Sequence, residues 1–126
     1  MIVTWERPFE RWLEAQLPGV DIMGGFPRGT PVWPVVTMTR VGGSPSWPED
    51  SPRIRVRVWE QTKTKAEALI VKIGNVIEEA DGRGIDIDLS LRLLATSVDF
   101  LVWAPDPTLD GMPSYYMDAT LVFINL

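Results

Sequence analysis

The sequence predicts an α+β domain over residues 1–126: an antiparallel or mixed sheet of about four strands with two helices on one face, in the order α-β-β-α-β(-β)-β. Three observations carry this. Residues 53–80 change from a two-residue apolar alternation, RIRVRVWE, to apolar positions every three or four residues, TKTKAEALIVKIGNVIEEA, so a strand runs into a helix on one core. A shorter stretch of helical period precedes it near the N-terminus. The remaining strand patterns are grouped rather than separated by helices, which favours antiparallel or mixed pairing.

The first helix carries Pro8 where a first-turn proline would lie, and sets Phe9, Trp12, Leu13 and Leu17 three or four apart until Pro18-Gly19. Residues 20–34 are dense in Gly and Pro and read as a stiff loop. Val35, Val36, Met38 and Val41 predict the first strand, ended by Gly42-Gly43. A second irregular segment, GGSPSWPEDSP at 42–52, leads to the next strand, with Ile54, Val56 and Val58 on one face and Arg53, Arg55, Arg57 and Trp59 on the other. Thr64 and Glu67 have the spacing of a capping box, which starts the second helix near Lys65. Its buried stripe is Ala66, Leu69, Ile70, Ile73, Ile77 and Ala80, and Asp81-Gly82-Arg83-Gly84 ends it. Residues 85–103 read as one bent strand or two short ones, because Leu93-Leu94 breaks the alternation. After the turn-rich APDPTLDGMPS, a last strand from Tyr115 to Leu126 turns Met117, Ala119, Leu121 and Phe123 to the core.

Composition narrows function. The 12 basic and 17 acidic residues give a net charge of −5, which opposes attraction to polyphosphate. With no cysteine there is no disulfide or thiolate metal site, in keeping with a reducing cytoplasm. Residues 1–10 show no signal-peptide pattern, and no apolar run approaches the roughly 20 residues of a membrane span. Histidine is absent too, so acid–base or nucleophilic chemistry would fall to carboxylates, Lys, Tyr or Ser. The expectation is a part that assembles, not an enzyme, with no cofactor.

Each candidate for chemistry has a plainer reading. Asp86 and Asp88 share a strand face and could begin a divalent-metal site with Asp81, Asp99 or Asp106, but no spacing fixes a third ligand. Glu60 with Lys63 departs from the Glu-x-Lys spacing of a common nuclease type. Gly24-Gly25 and Gly42-Gly43 lie outside any phosphate-loop frame. Asp106 to Asp110 resembles a calcium loop loosely and lacks its closing Glu, so a turn is expected. Arg53, Arg55 and Arg57 form a row about 7 Å apart that could grip phosphate, face solvent, or pair with acids of a neighbouring subunit.

Two features favour contact surfaces. The last strand carries Val122, Ile124 and Leu126 opposite Phe123, so both of its faces need cover. Trp33, Trp47 and Trp103 lie in or beside Pro-rich loops, where a large bare ring is unusual unless used. The candidate interface residues are Trp33, Trp47, Pro48, Arg53, Arg55, Arg57, Trp103, Asp106, Tyr115, Val122 and Ile124, with loops 20–34 and 42–52 and the 104–114 turn as the contact segments.

The order of pieces resembles the tail terminator proteins of long-tailed, siphovirus-type bacteriophages over most of the chain. They are the N-terminal helix closing in LPG at 17–19, the Pro-containing lead to a strand ending Val41-Gly42-Gly43, and RIRVRVWEQTKTKAEAL. Gly84-Ile85, the Ala104-Pro105-Asp106-Pro107 turn and Met112-Pro113-Ser114-Tyr115-Tyr116 before the final strand complete the series. The resemblance implies a non-enzymatic virion subunit, made in the host cytoplasm, that forms a hexameric ring on the head-proximal end of the tail tube. Such a ring stops tube polymerisation and presents a surface for head-tail joining. Implied partners are further copies of the chain, the tail tube protein and a head-tail connector or neck protein, with DNA only as passing cargo and no membrane. Ser114 stands where such proteins often carry an arginine before the tyrosine, so no charge contact is implied there. The rival readings are another head-tail connector or neck-completion protein, a carboxylate-dependent metal enzyme acting on nucleic acid, or a generic intracellular binding module.

Overall fold

The computed structural model describes residues 5–24, 32–43, 48–109 and 111–126. Along the chain run α1 (Glu6–Gln16), β1 (Ile22–Gly24), β2 (Val35–Gly42), β3 (Glu49–Asp50), β4 (Arg53–Trp59), α2 (Lys63–Glu79), β5 (Ile85–Asp88), β6 (Leu91–Trp103), a 3-10 turn at Pro107–Leu109, and β7 (Ser114–Asn125). The class is α+β as the sequence predicts, but among the described residues the sheet has seven strands rather than about four. Its order is β1-β2-β4-β7-β6-β5, with β3 beside the end of β7. β1 runs parallel to β2 and the other pairs are antiparallel, so the sheet is mixed. The two added strands, β1 and β3, lie in segments read as loops; at three and two residues they are too short to show a period.

One core joins both helices to a single sheet face. Trp5, Phe9, Leu13 and Leu17 from the α1 region and Ala66, Ile70, Ile73 and Ile77 from α2 pack with Val36 and Met38, with Ile54, Val56 and Val58, and with Met117, Ala119, Leu121 and Phe123. Gly74, also buried on α2, is part of the fit: a Cβ there would stand 3.4 Å from the Met117 sulfur. Trp5 stacks on Phe123 with centroids 5.5 Å apart, and Phe9 meets the same ring edge-on at 5.8 Å, which anchors α1 to β7.

The second helix begins at Lys63, two residues before the predicted start. Thr62, in extended conformation, caps it by accepting the Lys65 N–H at 3.2 Å. Its start is set by the sheet: β4 pairs with β7 as far as Trp59, and the Glu60 N–H donates to the Pro113 carbonyl, so only residues 61–62 remain for the turn. Residues 85–103 resolve into two strands joined by a tight turn. Asp88 Oδ1 accepts both the backbone N–H and the hydroxyl of Ser90, at 2.8 and 3.0 Å. A register shift between Leu93 and Ala95 absorbs the extra Leu94, the physical form of the break in alternation, and a second shift lies between Val98 and Phe100.

Gly43 closes β2 at φ +79°, and a Cβ there would lie 2.3 Å from the Ser51 carbonyl oxygen. Gly43→Ala combines a left-handed backbone with a backbone clash and is expected to cost about 2–3 kcal/mol, read as a lower urea midpoint.

Candidate functional site

Helices cover one face of the sheet; the other carries a layer of arginines and aromatic rings. β4 places Arg53, Arg55 and Arg57 there at its two-residue period, and β7 brings the partners alongside, with Arg55 opposite Asp118 and Arg57 opposite Tyr116. Asp118 is buried and accepts from Arg55 Nε at 2.8 Å, Arg55 Nη2 at 3.1 Å and Arg53 Nη2 at 3.3 Å. Arg53 Nε also stands 3.7 Å from Asp99. Arg57 donates to the Ser114 hydroxyl at 2.7 Å and to the Ala104 carbonyl at 3.0 Å.

Each guanidinium also lies near a ring: Arg55 at 4.3 Å from the Tyr116 centroid, Arg57 at 4.9 Å from Trp59, and Arg53 at 6.0 Å from Phe100. Phe100 meets Tyr116 edge-on at 6.3 Å. The Asp118 bond raises Arg55 further above the usual guanidinium value, against the opposing effect of burial. The outer sides of the Arg53 and Arg55 side chains remain open, at 45% and 41% exposure. Within the chain, the row pairs with Asp118, Asp99, Ser114 and the Ala104 carbonyl.

The remaining candidates have different fates. Asp106 is buried and accepts the Trp59 indole N–H at 2.8 Å, while its other oxygen accepts the Thr108 N–H and hydroxyl at 2.9 and 2.7 Å. The Thr108 hydroxyl bond chiefly lowers its pKa below the usual carboxylate value; burial opposes this, and the Trp59 bond and Arg57 charge add to it. A depressed acid contributes stability above its ordinary value, about 3.9, and the contribution is lost as pH falls through the lowered value. Asp106→Ala also strands the Trp59 N–H, so it is expected to cost about 1–3 kcal/mol at pH 7. The deficit should shrink on acidification, and urea unfolding at pH 7 and below pH 4 checks both.

Tyr115 is buried with its hydroxyl donating to Glu67 at 3.3 Å; burial first, then the Glu67 charge and bond, raises its pKa. Trp103 is on the helix side of the sheet, 5.0 Å from the Tyr115 ring, with Lys63 Nζ 4.8 Å above it and its outer edge exposed. Trp33 is half-buried, and Pro48 is exposed with its carbonyl accepting the Asn125 backbone and side-chain N–H at 2.7 and 3.0 Å. Val122 and Ile124 are half-buried, opposite Ala95 and Arg92. Trp47 and Asp110 lie outside the described residues.

The acidic pair of β5 is spent locally: Asp86 takes the Arg92 Nε at 2.6 Å, a bond that lowers its pKa, and Asp88 holds the Ser90 turn. Glu60 accepts the Gln61 N–H at 2.8 Å. Among the described residues no group of three or more Asp or Glu is placed to hold a metal ion, and no helix is long and apolar enough to cross a membrane.

Sequence reasoning missed Asp118, Tyr116 and Phe100, the residues that turn an arginine row into a layer. The available signal was a lone charged residue in the stretch 117–124, on the face opposite Met117 and Ala119. No known family model matches the chain, and no curated protein matches it in sequence.

Proposed function

We propose that this chain is a structural virion subunit: a tail terminator that forms a ring on the head-proximal end of a phage tail tube, stops tube polymerisation and provides the surface for head-tail joining. One observation supports this reading most: the sheet face opposite the helices carries a held array of Arg53, Arg55, Tyr116 and Phe100 whose outer sides remain open. Arg and aromatic residues are those enriched in protein contacts, and rotamers already held by Asp118 lose little entropy on docking. The resemblance of the order of sequence pieces to that of tail terminators suggests the array's particular use. The partners are other copies of the chain, the tube protein and a neck protein.

Electron microscopy of a phage lysate lacking this protein tests the reading. Overlong tail tubes are the expected result, and restored tail length on adding the purified protein completes it. Filled heads without tails would assign the chain to the connector instead, and normal particles would overturn both assignments.

A further inference from the structure

Arg53 and Arg55 converge on one buried acid. Arg55 spends one edge of its guanidinium on Asp118, Nε on one carboxylate oxygen and Nη2 on the other, while Arg53 reaches the second oxygen with Nη2 alone. Two guanidiniums hold more N–H donors than these bonds use. Among the described residues the Nη1 groups of both have no acceptor, and the two side chains keep 45% and 41% of their surface in water. The Tyr116 ring backs Arg55 at 4.3 Å, and Phe100, itself 40% exposed, lies 6.0 Å from the Arg53 guanidinium.

The charge around Asp118 is also loosely balanced. Arg57 stands apart, with Ser114 and Ala104 as its acceptors and its charge acting on Asp106. Arg53 and Arg55 are left to share one buried carboxylate. Their second counter-charge, Asp99, is 32% exposed and 3.7 Å from Arg53 Nε, beyond hydrogen-bond distance. An ion pair of that kind is weakly held in water. It marks a carboxylate position that Asp99 fills poorly.

We propose that Arg53 and Arg55 form a binding site for one carboxylate, supplied by an Asp or Glu side chain of a docked protein partner and displacing Asp99. This rests on the reading of the face as a docking surface and adds the chemistry of what docks there. Guanidinium edges present paired N–H groups that match a carboxylate, and Asp118 with the rings already fixes them, so little side-chain freedom is lost on binding. A single negative charge suits the site better than phosphate or nucleic acid. Asp118 and Asp99 lie beside it and the whole chain carries −5, so every further negative charge is opposed. Phe100 gives the stem of the incoming side chain an apolar surface to lie on.

Titration of isotope-labelled protein with benzoate tests this, read by nuclear magnetic resonance on the side-chain Nε–H signals of Arg53 and Arg55. Both signals are expected to move saturably at roughly millimolar benzoate. Benzamide, the same ring without the charge, should leave them in place. Asp99→Asn removes the internal rival and should tighten benzoate about two- to fivefold. Arg53→Gln leaves Asp118 its two bonds from Arg55 and should abolish saturation; should that variant lose its fold, Asp99→Asn carries the test. Wild-type signals that stay still, an affinity not raised by Asp99→Asn, or inorganic phosphate that binds more tightly than benzoate each overturn the proposal. The terminator reading fails separately. Saturable benzoate binding by a protein whose loss leaves tails of normal length keeps the carboxylate site and removes the terminator, whereas overlong tails with silent arginines do the reverse.

Discussion

Replacing Phe123 by alanine is expected to remove about 3–5 kcal/mol of stability, the range for deleting a fully buried aromatic side chain. Phe123 has no exposed surface and is the meeting point of three parts of the fold. On the sheet it lies opposite Leu93 of β6 and Asp50 of β3. Above the sheet it carries the Trp5 and Phe9 rings, stacked and edge-on. Its loss leaves a cavity under α1, and the bases of both remaining rings lose their packing surface. A domain of ordinary stability holds about 5–15 kcal/mol in all, so this one change takes a large share. In thermal unfolding the midpoint should fall by roughly 10–20 °C. The near-ultraviolet signal of Trp5 should weaken before global unfolding, because α1 loses its anchor. Phe123→Leu, which keeps much of the volume, should cost less than half as much; equal losses for the two variants would show that the ring contacts are not what matters.

The second large effect concerns Asp118. Its carboxylate is buried while its partners are not: the arginine side chains keep 45% and 41% of their surface in water. Asp118→Ala deletes three charge-assisted bonds, but both guanidiniums can turn to solvent, so the expected loss is about 2–3 kcal/mol. Arg53→Leu with Arg55→Leu deletes the same three bonds from the other side and leaves the carboxylate buried without a counter-charge. That double variant should cost more, about 3–5 kcal/mol, since an orphaned buried charge is the expensive case. Chemical unfolding of the two proteins at neutral pH gives the comparison, and a double variant no worse than Asp118→Ala would show that solvent reaches the carboxylate. The same two proteins bear on the proposed docking face. Both disarm it, so tail-length correction should suffer in each even where the folded fraction is restored by lower temperature.

Legibility in the sequence followed the range of the interactions. β4, α2 and β7 were readable with their buried faces, because a period of 2 or 3.6 is written in adjacent residues. The start of α2 was misread because Thr62 and Thr64 are both good caps; the choice between them was made by pairing of β4 with β7, distant in sequence. β1 and β3 carried no period to read. Of the site, the arginine row was visible and its satisfaction was not. The Arg55–Asp118 register joins residues 63 apart, and nothing near either residue announces the other.

What the chain's own order of residues determined is the class of fold, the residues that face the core, and the position of three arginines on the side turned away from it. These are local consequences of side-chain period and of Gly and Pro placement. Only the tertiary structure decided which acid holds the arginines, which aromatic rings lie beneath them, and that no described strand pairs the far edge of β6 beyond residue 96. Those depend on strand neighbours and register, which are set by the packing of the whole sheet against two helices rather than by any stretch of sequence alone.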